Sequence, residues 1–185
     1  MKEFKKDIII IQFSSRKDGN CAAVSRAIHE YYGDKMLGYT ADSSAISPCG
    51  NCNYECLMNE KRCLNISDTQ IKIMDAVCKA KLVYFIVPNY CGFPCANYFA
   101  YNEKSVGYFN KDEELLEIYL SVPKRFIIIS NAEDDVFSYA MQQQTNLEPE
   151  ILYLKAKKYG KNSIDGNILE SAEAQADLKA FLDKY

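Results

Sequence analysis

The sequence alternates short, continuously apolar runs with longer stretches of mixed polarity, and this alternation constrains the fold more than any other feature. The first run, Asp7–Phe13, contains four consecutive isoleucines. A strand that is apolar at successive positions is typical of a parallel sheet covered on both faces. Further runs follow at Leu82–Val87, Arg125–Ser130 and Glu150–Ala156, with a weaker one at Lys35–Thr40. The sequence therefore predicts five strands.

Amphipathic stretches separate these runs at the lengths expected of helices. After the first run, Val24, Ala27, Ile28 and Tyr31 recur at the spacing of one helical face. Further helices are predicted at Ser67–Lys79, from about Pro94, at Asp112–Ser121, at Val136–Thr145 and at the C-terminus. Such alternation builds a doubly wound parallel sheet with helices on both faces. We therefore predict an α/β fold whose ligands bind beyond the carboxyl ends of the strands.

Length and composition indicate one domain spanning residues 1–185. A chain of 185 residues can bury a sizeable core, and neither a repeat nor a low-complexity linker divides it. The formal net charge of -3 and the lack of a basic stripe disfavour a nucleic acid or a membrane surface as partner. No signal peptide or membrane-spanning stretch stands out, so we expect a cytoplasmic protein.

A polar loop, Ser14–Cys21, connects the first strand directly to the first helix. Such a loop directs backbone N–H groups and the positive end of a helix toward one point, which suits a phosphate. Ser14 and Ser15 add hydroxyl groups, and Arg16 adds a charged donor. The alternative is a polar turn in which Asp18 or Asn20 caps the helix. The loop by itself leaves both interpretations open.

Four of the eight cysteines lie close together in a segment at about residues 47–66. Cys49, Cys52, Cys56 and Cys63 are separated by two, three and six residues. Thiolates this close in sequence can reach one metal centre, and soft thiolate ligands select zinc or an iron-sulfur cluster. Three interpretations remain: an iron-sulfur cluster, a structural zinc site, or thiols that bind no metal.

The segment Phe13–Ala22 resembles the G-S-P-R-x-x-G-N-T loop of the NADPH-dependent FMN reductase and iron-sulfur flavoprotein group of flavodoxin-like proteins. Ser14, Arg16, Gly19 and Asn20 match that pattern, whereas Phe13, Ser15 and Cys21 stand where the group has Gly, Pro and Thr. The resemblance continues through Cys49–Asp68 and Pro88–Phe93. It implies a flavodoxin-like sheet with strand order 2-1-3-4-5 and an FMN phosphate held by Ser14, Ser15, Arg16, Asn20 and Cys21.

The same resemblance implies the rest of a cofactor site. The loop after the third strand is similar to the segment that lines the isoalloxazine ring in this group, which assigns Pro88, Asn89, Tyr90, Cys91 and Gly92 to the flavin. Asn131, after the following strand, is assigned by position only. A [4Fe-4S] cluster would be held by Cys49, Cys52, Cys56 and Cys63.

The function implied by the resemblance is that of an NAD(P)H-dependent FMN oxidoreductase. Its electron acceptor would be a quinone, a flavin or a protein, and the chain would assemble as a homodimer or homotetramer. No catalytic side chain is expected, because the flavin carries the reaction. Two alternatives stay open: a non-enzymatic FMN and iron-sulfur carrier reduced by ferredoxin, and a flavin-free relative with a structural zinc or thiol site.

Overall fold

A computed structural model describes residues 7–50, 53–58, 63, 68–110, 112–131 and 136–185. It contains a six-stranded sheet in which five parallel strands lie in the order β2-β1-β3-β5-β6, and the short β4 pairs antiparallel with the end of β3. This confirms the predicted arrangement, since the five parallel strands follow the expected order and β4 is an addition. The strands are β1 Ile8–Gln12, β2 Met36–Thr40, β3 Leu82–Tyr90, β4 Phe93–Pro94, β5 Lys124–Ser130 and β6 Glu150–Lys155.

Seven α-helices are assigned among the described residues. They are α1 Asn20–Tyr32, α2 Glu55–Met58, α3 Asp68–Lys79, α4 Ala96–Phe109, α5 Glu113–Ser121, α6 Val136–Gln142 and α7 Ala172–Leu182. Short 3-10 turns lie at Gly33–Lys35, Ala156–Tyr159 and Ile168–Glu170. In this part of the chain, no helix has the length and apolar character needed to span a bilayer.

The two prolines after the third apolar run lie in strands, where the sequence predicted a strand end and a helix start. The main-chain N–H of Phe13 donates to the carbonyl of Ile86, so Ile86 faces β1. The direction of the main-chain polar groups alternates along a strand, so those of Pro88 also face the β1 side. The pairing of β1 ends at Gln12, opposite Ile86, so Pro88 lies beyond it. Pro88 therefore removes no ladder hydrogen bond, and β3 continues to Tyr90.

The isoleucine run of β1 is buried on both faces of the sheet, as its composition predicts. Ile9 and Ile11 face a core that includes apolar side chains of α3, α4, α5 and α6. Ile8 and Ile10 face a second core that includes side chains of α1 and α7. All four side chains are at most 2% exposed. This two-sided burial fixes the register of β1 and directs the loop that follows it to the carboxyl edge of the sheet.

Phe13, which stands where the resembled group has glycine, is a core residue. Its side chain is fully buried, and its ring packs edge-on against Phe85, Tyr98 and Tyr101 at centroid distances of 5.5, 5.4 and 5.6 Å. Edge-to-face packing of this kind stabilises a core beyond the area it buries. Phe13 therefore anchors the start of the polar loop to α4.

Replacing Phe13 with alanine should destabilise the fold by about 3–5 kcal/mol, because it leaves a cavity among three aromatic rings. Urea unfolding followed by circular dichroism measures the change. Phe99→Ala is the control, since Phe99 lies on α4 and is 42% exposed. Equal losses in the two variants would contradict the role assigned to Phe13.

Candidate functional site

The polar loop ends at an α1 N-terminus that no side chain caps. Gly19 occupies the N-cap position and contributes no side-chain hydrogen bond, so neither Asp18 nor Asn20 acts as the predicted cap. Asn20, Cys21 and Ala22 are buried, and their main-chain N–H groups donate to no other residue in the described part of the chain. Buried N–H groups almost always have a partner. This helix end is therefore suited to an anion.

Ser14 and Arg16 lie beside this helix end. Ser14 is buried, and its Oγ accepts a hydrogen bond of 3.2 Å from the main-chain N–H of Arg16. Ser15 is exposed instead, and its Oγ accepts from Nδ2 of Asn97 at 3.3 Å. The loop thus presents one buried hydroxyl, one guanidinium group and the helix N–H groups on the same side.

Cys21, the second residue of α1, carries a neutral thiol. Its side chain is 3% exposed. Burial, with a smaller effect from the nearby Cys95, raises the pKa of the Cys21 thiol from 9.0 to about 12. The thiol is therefore protonated at neutral pH and is neither a nucleophile nor a thiolate ligand.

The loop after β3 is a tight hairpin that leads into β4. Tyr90 pairs with Phe93, and the two residues between them have positive φ, 54° at Cys91 and 87° at Gly92. A two-residue hairpin with positive φ at both central positions has the backbone of a type I′ turn, which favours Asn or Gly. The side chain of Tyr90, at the start of the turn, is 58% exposed. The hairpin therefore presents an aromatic side chain at the carboxyl edge of the sheet.

Asn89 fixes this hairpin to the neighbouring strand. Its Oδ1 accepts from the main-chain N–H of Gly92 at 2.9 Å, and its Nδ2 donates to Oγ of Ser130 at 2.9 Å. Both polar atoms of Asn89 are thus engaged within the protein. Asn89 therefore holds the hairpin in a fixed orientation relative to β5.

The two loops lie at the same edge of the sheet and line one cavity. Its lining joins residues of both loops with three that the sequence did not indicate, Ile129, Ser163 and Ile164. The predicted residues that line it are Ser14, Arg16, Asn20, Cys21, Pro88, Asn89 and Tyr90. Ser15, Cys91, Gly92 and Asn131 are not among its lining residues.

The loop that contributes Ser163 and Ile164 contacts the helix end directly. Nδ2 of Asn20 donates to the Ser163 carbonyl at 2.8 Å, and the main-chain N–H of Ile168 donates to Oδ1 of Asn20 at 2.9 Å. Arg16 donates from Nη2 to the Ile164 carbonyl at 2.6 Å. The only sequence signal for this loop is the Asp165-Gly166 turn, which identifies a bend but not its partner.

The described cysteines of the 47–66 segment do not form a metal centre. Cys49 is exposed, and its main-chain N–H donates to Oε2 of Glu103 on α4 at 2.8 Å. Cys56 lies on α2, and Cys63 is buried, with its N–H bonded to the Gly107 carbonyl at 2.9 Å. Cys52 lies outside the described residues. In the part of the chain that is described, no three metal-binding side chains of His, Cys, Asp or Glu lie together.

A wider groove of about 570 Å³ lies between α1 and α7. Its walls include Arg26, Ala27, Leu178 and Lys179, and none of the predicted site residues lines it. Ligands of doubly wound sheets bind beyond the carboxyl ends of the strands. We therefore place the candidate site at the smaller cavity.

Comparison with known proteins gives matches in structure alone. No protein-family model matches the chain, and no curated protein is similar to it in sequence. The Trp repressor binding protein from Bacillus subtilis superposes with a TM-score of 0.60 at 10% identity, covering 96% of this chain and 98% of that one. The fold is flavodoxin-like.

Two further structures share this flavodoxin-like fold. FerB, a flavoenzyme NAD(P)H:(acceptor) oxidoreductase from Paracoccus denitrificans, has a TM-score of 0.56 at 12% identity and covers 96% of each chain. A putative quinone reductase from Klebsiella pneumoniae has a TM-score of 0.59 at 10% identity, covering 95% of this chain and 83% of that one.

Cysteine alkylation should distinguish Cys21 from Cys91 at this edge of the flavodoxin-like sheet. Cys91 is exposed, whereas Cys21 is buried with a raised pKa, so iodoacetamide at neutral pH should label Cys91 first. Peptide mass spectrometry measures the extent of labelling, and protein unfolded in guanidinium should label at both positions. Equal rates in the folded protein would contradict the environment described for Cys21.

The turn at Cys91 should be improved by asparagine. Left-handed backbone costs an ordinary residue about 1–2 kcal/mol, and Asn tolerates it better. Cys91→Asn should therefore raise the free energy of unfolding by about 1 kcal/mol, whereas Cys91→Val should lower it. Thermal unfolding compares them, and a valine variant as stable as the asparagine variant would contradict the turn geometry.

Proposed function

We propose that this chain binds FMN and acts as an NAD(P)H-dependent oxidoreductase that passes electrons to a quinone, a flavin or a protein. The observation that carries the proposal is the buried, uncapped first turn of α1, whose N–H groups at Asn20, Cys21 and Ala22 donate to no other residue in the described part of the chain. This turn shares a cavity with the Tyr90 hairpin. A phosphate site beside an exposed aromatic side chain suits a phosphorylated flavin.

The structural neighbours support the same chemistry. FerB is described as a flavoenzyme NAD(P)H:(acceptor) oxidoreductase, and the Klebsiella pneumoniae protein as a putative quinone reductase. Together with the resemblance at Phe13–Ala22, these descriptions favour a nicotinamide donor and a quinone or flavin acceptor.

Each part of the site has a distinct task in this proposal. Oγ of Ser14, the Arg16 guanidinium and the α1 N–H groups would hold the phosphate, and the Pro88–Gly92 hairpin would lie against the ring. When bound, FMN supplies the capacity to accept a hydride and release electrons. The protein binds and orients the cofactor, and the hydrogen bonds of Asn89 keep the hairpin in a fixed position.

The predicted [4Fe-4S] cluster is not part of this proposal. Cys63 packs against Gly107 of α4, and the described cysteines form no three-ligand group. Iron and acid-labile sulfide analysis of anaerobically prepared protein decides the matter. A ferredoxin donor, homo-oligomeric assembly, a single domain over residues 1–185 and a cytoplasmic location stay predictions.

Arg16→Met should weaken FMN binding by about 10–100-fold and leave riboflavin binding nearly unchanged. A charged hydrogen bond contributes about 1.5–3 kcal/mol, and riboflavin lacks the phosphate that would receive it. Flavin fluorescence titration measures both affinities. Lys17→Met is the matched control, because Lys17 carries the same charge one residue away but does not line the cavity.

Turnover tests the second half of the proposal. The FMN-loaded protein should oxidise NADH or NADPH steadily when a quinone or ferricyanide is present. A protein that binds FMN but oxidises neither nicotinamide would contradict the enzymatic proposal. A protein that binds no FMN would contradict the whole of it.

A further inference from the structure

A loop distant in sequence is bonded to the polar loop Ser14–Cys21, which the proposed function makes the phosphate loop. We call residues Lys161–Ile168 the clasp loop. It contacts the phosphate loop through both polar atoms of the Asn20 side chain and through the Arg16 guanidinium. On its other side, the main-chain N–H of Ser163 donates to Oδ1 of Asn131 at 3.2 Å, and Lys161 forms a 2.8 Å ion pair with Glu170. The clasp loop is therefore held at both ends.

Asn20 is better placed to position the loops than to bind a phosphate. Its side chain is buried, with Nδ2 committed to the Ser163 carbonyl and Oδ1 to the Ile168 N–H. Because the two bonds hold opposite ends of the amide, they fix its orientation toward the Ser163–Ile168 backbone. A buried amide with both ends satisfied fixes the two segments that it joins.

Gly166 brings the clasp loop into close contact with the phosphate loop. Its φ of +77° favours glycine, and a Cβ atom there would lie 2.4 Å from the Asp18 carbonyl oxygen and 3.7 Å from Cα of Gly19. Any side chain at this position must push the two loops apart. The absence of a side chain at Gly166 is thus a condition of the contact.

The cavity lined by the polar loop, the Tyr90 hairpin and the clasp loop is narrow. It measures about 50 Å³, and Ser163 and Ile164 form part of its lining. Arg16 donates from Nη2 to the Ile164 carbonyl at 2.6 Å, and the other N–H groups of its guanidinium are the ones that could contact a phosphate while this bond is kept. The clasp loop is therefore attached at Ile164 through Arg16, and at Ser163 and Ile168 through Asn20.

We propose that the clasp loop is a retention element for the cofactor phosphate: Asn20 and Gly166 hold it against the phosphate loop, and its attachment sets how tightly FMN is bound. The inference rests on the proposed function, since it takes FMN as the ligand. It assigns Asn20 the role of a positioning residue and adds Gly166 and Ser163 to the residues on which the site depends.

Two glycine variants test the proposal as a matched pair. Gly166 and Gly160 both have positive φ, +77° and +65°, but a Cβ at Gly160 would meet nothing within 4 Å. Alanine therefore strains the backbone in a similar way at both positions, whereas only Gly166→Ala also collides with the Asp18 carbonyl. We expect Gly166→Ala to raise the dissociation constant for FMN about tenfold or more, and Gly160→Ala to change it less than about twofold.

Asn20→Ala is the second variant, in case Gly166→Ala fails to fold. It removes both tethers and should weaken FMN binding, as Gly166→Ala does. Hydrogen exchange of the FMN-free protein gives a readout that does not depend on the cofactor. Amides of the clasp loop, that of Ile168 above all, should exchange faster in Asn20→Ala and Gly166→Ala than in the wild type or Gly160→Ala.

Equal FMN affinities in the two glycine variants, or unchanged exchange at Ile168 in Asn20→Ala, would overturn the retention role. These results are distinct from a failure of the proposed function. A wild-type chain that binds no FMN would overturn the proposed function. The exchange comparison would then still decide whether Asn20 and Gly166 hold the clasp loop.

Discussion

The two-sided burial of β1 is the constraint on which the rest of the molecule depends. Four isoleucines in succession pack alternately into two cores on opposite faces of the sheet. Strand β3 pairs with β1 along its whole length, from Ile8 opposite Leu82 to Gln12 opposite Ile86. Both strands are parallel, so their following loops emerge at one edge. The polar loop Ser14–Cys21 and the Tyr90 hairpin line one cavity because this pairing brings the ends of β1 and β3 together.

The fold was largely predictable because its signals are local. The apolar runs and the helical spacing after Asn20 predicted β1 and α1, and the resemblance at Phe13–Ala22 implied the order of the parallel strands. The end of β3 was predicted too early, at Val87, because a proline is expected to end a strand. The missing N–H of a proline weakens a strand only where a neighbouring strand would accept a hydrogen bond from it. Pro88 lies beyond the end of β1, so β3 runs on, and the hairpin at Cys91 lacks the Asn-Gly or Asp-Gly sequence that identifies such turns.

The site was predictable in part, and what was missed is non-local. The uncapped turn at Gly19 could not be predicted, because Asp18 and Asn20 on either side of it are both residues that can cap a helix. The contact between Asn20 and Ile168 joins residues 148 positions apart, and no pattern in either segment specifies the other. The cysteines show the converse, since their spacing in sequence suggested a ligand set. In space, Cys63 is buried against Gly107, where the packing leaves no room for a Cβ.

Amide chemical shifts during an FMN titration test the central claim most directly. In a 15N-labelled protein, FMN should shift the amides of Asn20, Cys21 and Ala22 and those of the Tyr90 hairpin, because both loops line one cavity. Riboflavin should shift the hairpin amides and leave the α1 amides largely unmoved. Shifts confined to the groove between α1 and α7, at residues such as Ala27 and Leu178, would contradict the account.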